Sequence, residues 1–86
     1  MDINNLIAIV KKKLINEIKI EKINIEDKSF LHKNHTGHQE GKFHLKLMIS
    51  SNELKSLKRI ESNKKIYKIL DQEIKKYIHS LQILIN

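Results

Sequence analysis

The 86-residue chain contains no cysteine, no proline and no tryptophan, and it has only two glycines. Because cysteine is absent, the chain can form no disulfide framework and can offer no thiolate to a metal. Neither a repeat nor a linker divides the sequence, so we expect a single domain over residues 1–86.

Long apolar segments are absent as well. The run from Leu6 to Val10 is far shorter than the roughly 20 residues that a membrane-spanning helix needs. The N-terminus carries Asp2 and lacks the basic segment that opens a secretory signal. We therefore expect a cytoplasmic protein that does not associate with membranes.

The formal net charge is +7. A charge of this sign is typical of a protein with an anionic partner, such as nucleic acid or an acidic protein. Arg59 is the only arginine among 17 basic residues, whereas phosphate recognition commonly uses the planar fork of arginine. An AT-rich coding bias towards Lys, Ile and Asn would produce the same charge, so both explanations stay open.

Apolar spacing predicts the N-terminal half of the fold. Between Asp2 and Ile18, apolar residues recur at intervals of three and four, which predicts an amphipathic helix capped by Asp2 or Asn4. Alternation predicts one strand over about Lys22 to Leu31 and another over Phe43 to Ile49, joined as an antiparallel hairpin.

The C-terminal half is predicted to contain two helices and a strand. Ser50 and Glu53 fit a capping box at the start of a short helix. The longest helix is predicted over about Ser62 to Tyr77, and a last strand follows over residues 81–85.

These elements follow the order α-β-β-α-α-β. Helices packed on one face of a three-stranded mixed sheet would bury every apolar stripe, so we expect an α+β fold. The core is predicted to draw on the strands and the two long helices, with these members: Leu14, Ile25, Phe43, Leu45, Leu47, Ile66, Leu70, Ile74 and Leu81.

Histidine is concentrated in one part of the chain. His32, His35, His38 and His44 lie in or just after a polar loop, and His79 lies alone near the C-terminus. Imidazole is the commonest metal ligand in proteins, so the loop is either a metal-binding segment or a polar turn. His35 and His38 are expected to be solvated. His44 is expected to be exposed, because it alternates with the buried residues of its strand.

Several segments match one known family in register. Ile66 to Leu81 aligns without gaps with the long-helix and Val-His-Ala-Leu pattern of the BolA-like family. Asp27 to His32 resembles the Asp-Glu-Ser-aromatic-x-His segment that opens the family's variable loop. His32 with His35 resembles its His-x-Gly-His form, and residues 40–43 resemble its Glu-x-x-Phe. The resemblance implies a fold related to the type II KH domain.

Two segments depart from the family pattern. Ser62 to Lys64 stands where the family carries Arg-His-Arg, and Leu54 to Ser56 stands where it carries Phe-x-Gly. The chain also lacks the Gly-x-x-Gly loop with which KH domains hold the nucleic-acid backbone. The surface role of the Arg-His-Arg segment is therefore not carried over to this chain.

The resemblance implies a function in iron–sulfur cluster trafficking or iron regulation. BolA-like proteins are partners of monothiol glutaredoxins, and the pair shares a 2Fe–2S cluster together with glutathione. Carried over residue by residue, the cluster ligands of this chain fall on His79 and His32, with His35 as a substitute for His32. The isolated chain is then expected to hold no cluster and to be a monomer or weak homodimer.

The alternative is a DNA-binding transcriptional regulator that uses the KH-like fold and its basic surface. Lys64, Lys65 and Lys68 on the long helix would then contact phosphates.

The sequence predicts no catalytic constellation. A nucleophile, a base and an orienting group need mutual contact, and no motif brings a serine together with a histidine and a carboxylate. Tyr67 and Tyr77 are expected to pack on helix faces, so an enzyme is not expected.

Overall fold

The computed structural model describes residues 1–29 and 42–86, which build a three-stranded sheet and four helices. The strand order is β1-β2-β3, in which β1 pairs antiparallel with β2, and β2 pairs parallel with β3. The predicted α+β fold with a mixed sheet is thereby confirmed. The elements are α1 (Ile3–Glu17), β1 (Lys22–Asp27), β2 (Phe43–Ser50), α2 (Asn52–Lys55), α3 (Arg59–Ile69), α4 (Asp71–Lys76) and β3 (Ile78–Ile85).

The first helix forms as its apolar spacing predicts. Its N-cap is Asp2, whose side chain accepts a hydrogen bond of 2.9 Å from the amide of Asn4. Leu6, Val10 and Leu14 share one face of the helix and are fully buried.

One face of the sheet packs against the helices and forms one side of the core. Leu45, Leu47 and Ile49 of β2 alternate towards the helices and cluster with the buried face of α1. Of the nine predicted core residues, five are fully or almost fully buried. The other four, Ile25, Phe43, Ile74 and Leu81, are half-buried and pack against them.

The predicted capping box at Ser50 is wrong, because Ser50 still belongs to β2 and pairs with Lys22. The N-cap of α2 is Ser51, whose hydroxyl accepts from the amide of Leu54 at 3.2 Å. The Glu53 carboxylate instead accepts from the Lys19 amide at 3.2 Å and from the Lys65 ammonium at 2.9 Å. Glu53 therefore ties α2 to α3 and to the α1–β1 connection.

These contacts predict a pH dependence of stability. The hydrogen bond from Lys65, followed by that from the Lys19 amide, lowers the pKa of Glu53 below its ordinary value of 4.5. A lowered folded-state pKa contributes stability above pH 4.5, and this contribution is lost as pH falls through the folded value.

We expect the urea midpoint of Glu53→Gln to fall less on acidification below pH 4.5 than that of the wild type. Equal acid sensitivity would show that the Glu53 contacts do not form in solution. Glu61→Gln, an exposed carboxylate on α3, is the control.

The predicted helix over Ser62 to Tyr77 is divided and begins earlier, at Arg59. At Leu70 the backbone leaves the helical region, with φ −97° and ψ 15°, and α4 begins at the next residue. Hydrogen bonds continue across the bend, from Leu70 N–H to Ile66 O and from Ile74 N–H to Leu70 O. Tertiary packing places the bend, since α3 contacts α1 whereas α4 leads into β3.

The predicted first strand is too long, because β1 ends at Asp27. The Asp27 carboxylate accepts from the amide of Ser29 at 2.9 Å, which turns the chain out of the sheet. The rest of that predicted strand, Phe30 and Leu31, lies outside the described residues.

Across the part of the chain that the structure describes, no helix has the length and apolarity to cross a membrane.

Candidate functional site

The start of β3 contains an irregularity that changes the direction of two polar side chains. Phe43 pairs with Ile78 and His44 pairs with Ser80, so His79 is an extra residue in β3. Two residues of one strand facing one residue of its partner define a β-bulge, a feature that re-aims side chains next to functional sites. The bulge lets Ile78 enter the core and leaves both His79 and Ser80 exposed.

The two histidines of the described chain meet at this bulge. The rings of His44 and His79 lie edge to face, with centroids 5.0 Å apart and planes inclined at 62°. Nδ1 of His44 and Oγ of Ser80 are joined by a hydrogen bond of 2.6 Å. His79 is exposed, so its imidazole is accessible to a partner. We call His44, His79 and Ser80 the bulge triad.

The expectation that His44 is exposed is wrong. Its relative exposure is 5%, although it lies on the face of β2 opposite the core. Alternation correctly predicts that His44 points away from the core. It does not predict that the ring of His79 and the hydroxyl of Ser80 lie against the His44 imidazole.

The backbone of His44 is also held on both sides. Its carbonyl accepts from the amide of Lys28 at 2.7 Å, and its amide donates to the hydroxyl of Ser29 at 3.1 Å. The same Ser29 is fixed by Asp27. The end of β1 therefore anchors the residue against which His79 packs.

A partly buried ion pair holds the chain that leads into the bulge. The Lys13 ammonium of α1 donates to both oxygens of Glu73 in α4, at 2.9 and 2.8 Å, and Glu73 is only 6% exposed. Tyr77, between α4 and β3, donates its amide to Glu73 O and accepts from the amide of Phe43, both at 2.8 Å. These bonds connect α1, α4 and β2 immediately before β3 begins.

The remaining predicted ligands, His32 and His35, lie outside the described residues, as does His38. The segment that contains them connects the end of β1 with the start of β2. The pairing of Phe43 with Ile78 places that end of the sheet beside the start of β3.

Among the described residues, the side chains that meet at the bulge carry imidazole and hydroxyl groups. Within residues 1–29 and 42–86, no group of three or more His, Asp or Glu side chains converges to hold a metal ion. The chain has no cysteine. These residues therefore fit one histidine contribution to a shared metal centre whose other ligands come from elsewhere.

A serine and a histidine do meet here, which the sequence analysis did not predict. The geometry of Ser80 and His44 resembles part of a nucleophile–base pair. The contacts of His44 hold it in place, since its amide donates to Ser29 and its Nδ1 meets Ser80 Oγ. The pair is accordingly interpreted as structural support.

The lysines of the alternative hypothesis lie on α3. Lys64 and Lys68 are exposed, whereas Lys65 pairs with Glu53 at 2.9 Å. Lys65 and Lys68 line a groove of about 530 Å³ between α1 and α3, together with Lys13. Because Lys13 and Lys65 are both paired with carboxylates, the groove is less positive than its lysines alone suggest.

Comparison with known proteins decides the family. The family model described as BolA-like protein matches residues 14–86. The chain belongs to the BolA-like family. Members of this family are generally non-enzymatic.

Similar proteins agree with this assignment. A protein of Haemophilus influenzae named DNA-binding transcriptional regulator BolA is 28% identical over 75 residues, which cover 87% of this chain and 70% of the relative. The BolA domain of SufE1 from Arabidopsis thaliana superposes with a TM-score of 0.74 at 27% identity, covering 90% of this chain and 85% of that domain. BolA1 from Arabidopsis thaliana shares the fold, with a TM-score of 0.75, 23% identity, and coverage of 92% and 87%.

Within the bulge triad, Ser80 differs from the Val-His-Ala-Leu pattern that residues 78–81 resemble. Ser80 stands where the Val-His-Ala-Leu pattern has alanine, and its hydroxyl makes the 2.6 Å contact with His44. The spacing of Ile78 and Leu81, three residues apart and both facing the core, is the sequence signal that could have predicted the bulge.

Proposed function

We propose that this BolA-like protein is a non-enzymatic cytoplasmic adaptor that binds a monothiol glutaredoxin. The two proteins share a 2Fe–2S cluster through histidine, in iron–sulfur cluster trafficking or iron regulation. The observation that carries the proposal is the exposed imidazole of His79, which a β-bulge presents at one end of the sheet in a chain without cysteine.

The donor set supports sharing rather than independent binding. Iron–sulfur clusters are held mainly by thiolates, and histidine replaces cysteine on one iron in Rieske-type centres. This chain supplies imidazole and no thiolate. Thiolates from glutaredoxin and glutathione complete the ligand set, and His79 supplies one ligand from this chain.

The second ligand on this chain is His32 in the proposal, with His35 able to replace it. Both are assigned by their match to the family's loop pattern. Of the proposed ligands, His79 is the one that lies in a described element, because it belongs to β3 and contacts His44.

Anaerobic reconstitution tests the proposal. The purified chain is mixed with the host's monothiol glutaredoxin, glutathione, ferrous iron and sulfide, and the products are separated by size exclusion with absorption recorded from 300 to 700 nm. We expect a mixed complex whose visible spectrum differs from that of the glutaredoxin with its cluster alone. Separate elution of the two proteins, with an unchanged glutaredoxin spectrum, would refute the adaptor function.

A DNA-binding regulator is the second candidate. The name of the Haemophilus influenzae relative and the exposed Lys64 and Lys68 on α3 favour it. Against it stand the ion pair that occupies Lys65 and the replacement of Arg-His-Arg by Ser62 to Lys64.

Salt dependence separates the two candidates. We expect this protein to bind duplex DNA no more tightly than the roughly 10⁻⁴–10⁻⁶ M of non-specific contacts at physiological salt. Joint replacement of Lys64, Lys65 and Lys68 by glutamine should reduce the salt slope of that weak binding by about two rather than three, because Lys65 is already paired. Fluorescence anisotropy from 50 to 200 mM salt measures both quantities. Lys75→Gln with Lys76→Gln on α4 is the matched control, and nanomolar sequence-specific binding would favour the regulator.

A further inference from the structure

We propose that His44 and Ser80 form a built-in support that sets the orientation of the His79 ring. His44 is a positioning residue in this arrangement, and His79 is the side chain that it presents. The inference rests on the proposed function for its purpose, because a held imidazole matters when an external iron must be met at a defined place.

The first observation is the contact between the two rings. An edge-to-face arrangement with centroids 5.0 Å apart falls within the distance range preferred by aromatic pairs. His79 is otherwise exposed in a bulge, where strand pairing does not restrict its side chain. The His79 ring therefore packs against the His44 ring, which restricts its orientation.

The second observation is that hydrogen bonds to three described residues hold His44 in place. Nδ1 of His44 bonds to Ser80 Oγ, while its backbone carbonyl and amide bond to Lys28 and Ser29. At 5% exposure, the imidazole of His44 has little room to change rotamer. Because the His44 ring is buried and hydrogen-bonded, it can restrict the orientation of the exposed His79 ring.

The third observation is that the bond to His44 depends on the side-chain hydroxyl at position 80. A side chain without a hydroxyl, such as alanine, could not bond to Nδ1. Ser80 is adjacent to His79, so the same two residues of the bulge supply the presented ring and the bond that fixes its support.

The positions of the two histidines also separate their roles. A ligand to an iron shared with another protein must be accessible to it, and His79 is exposed whereas His44 is buried. Groups that orient a metal-binding histidine have a recognised effect, since their loss commonly reduces metal affinity by roughly 10–100-fold.

Three substitutions and one control test the support. Ser80→Ala removes the hydroxyl, Ser80→Thr retains it, and His44→Phe retains a ring while removing its nitrogens. Gln82→Ala, an exposed side chain further along β3, is the control. Thermal midpoints are recorded for all four, so that unfolding is not mistaken for loss of positioning.

The first readout is nuclear magnetic resonance of the ¹⁵N-labelled protein without a partner. We expect nuclear Overhauser contacts between the two histidine rings in the wild type, weaker contacts in Ser80→Ala, and recovery in Ser80→Thr. Long-range ¹H–¹⁵N spectra should show one tautomer of His44 in the wild type and a changed pattern in Ser80→Ala. Ring contacts and His44 spectra that are identical in wild type and Ser80→Ala would overturn the inference.

The second readout is retention of the cluster in the glutaredoxin complex against a chelator. We expect Ser80→Ala to weaken retention by roughly 10–100-fold, with recovery in Ser80→Thr and a comparable loss in His44→Phe, which keeps a ring but, like Ser80→Ala, lacks the hydrogen bond that fixes it. Complete loss of the visible spectrum in His44→Phe would show that His44 is itself a ligand and would overturn its positioning role.

The two readouts also separate this inference from the proposed function. If no mixed complex forms but the ring contacts respond to Ser80 as described, the adaptor function fails while the support of His79 by His44 stands. If the complex forms and the ring contacts are the same in Ser80→Ala and the wild type, the support of His79 by His44 is refuted while the adaptor function stands.

Discussion

The His79→Ala variant is expected to lose the mixed 2Fe–2S complex with glutaredoxin, because it removes the imidazole that the bulge presents to solvent. The visible spectrum of the reconstituted mixture should revert to that of the glutaredoxin alone. The free energy of unfolding of the isolated chain should change little, since surface substitutions are usually within about 0.5 kcal/mol.

The other predicted ligand defines the control series. His32→Ala should cause a milder loss, because His35 is able to replace it, and Gln82→Ala should behave like the wild type. The double variant His32→Ala, His79→Ala leaves neither assigned ligand on this chain. A wild-type cluster spectrum in that double variant would rule out the ligand assignment, even if the two proteins still co-eluted.

The Leu70→Ala variant is expected to lower the free energy of unfolding by roughly 2–5 kcal/mol, the usual cost of truncating a buried leucine. Leu70 is fully buried and lies at the bend between α3 and α4, so its side chain serves both helices. For a domain of this size, such a loss corresponds to a fall of about 8 °C or more in thermal midpoint. Circular dichroism melting measures it.

The matched control for Leu70 is Ile60→Ala on α3. Ile60 is 70% exposed, so its truncation removes little buried apolar surface and should change stability by about 0.5 kcal/mol or less. Equal midpoints for Leu70→Ala and the wild type would show that the packing of α3 and α4 on the core is wrong.

One residue of the candidate site was singled out by the sequence, whereas the burial of another was not predictable. The register of Ile78 to Leu81 with the family motif singled out His79, and the structure places it on an exposed bulge. The burial of His44 was not predictable from alternation. The His44 imidazole contacts the ring of His79 and the hydroxyl of Ser80, which lie 35 and 36 positions further along the chain and reach it only through the pairing of β2 with β3.

The fold shows the same division between local and non-local information. Asp71 and Lys75, four residues apart on α4, pair at 3.1 Å because helical geometry alone brings them together. Lys13 and Glu73 are 60 positions apart, and no local pattern relates them. Their ion pair forms only once α1 and α4 are packed together.

The sequence by itself determined the elements and their order, apart from the division of the long C-terminal helix into α3 and α4, since the periods of 3.6 and 2 are properties of the local backbone. Apolar spacing was sufficient for α1 and β2, whereas the ligand role that family register assigns to His79 stays a prediction. The tertiary structure decided where the chain deviates from those periods: the cap at Ser51 instead of Ser50, the bend at Leu70, and the extra residue in β3. Each deviation lets apolar side chains on both sides of it reach one core. The position of that core depends on distant parts of the chain, so the local sequence alone does not specify the deviation.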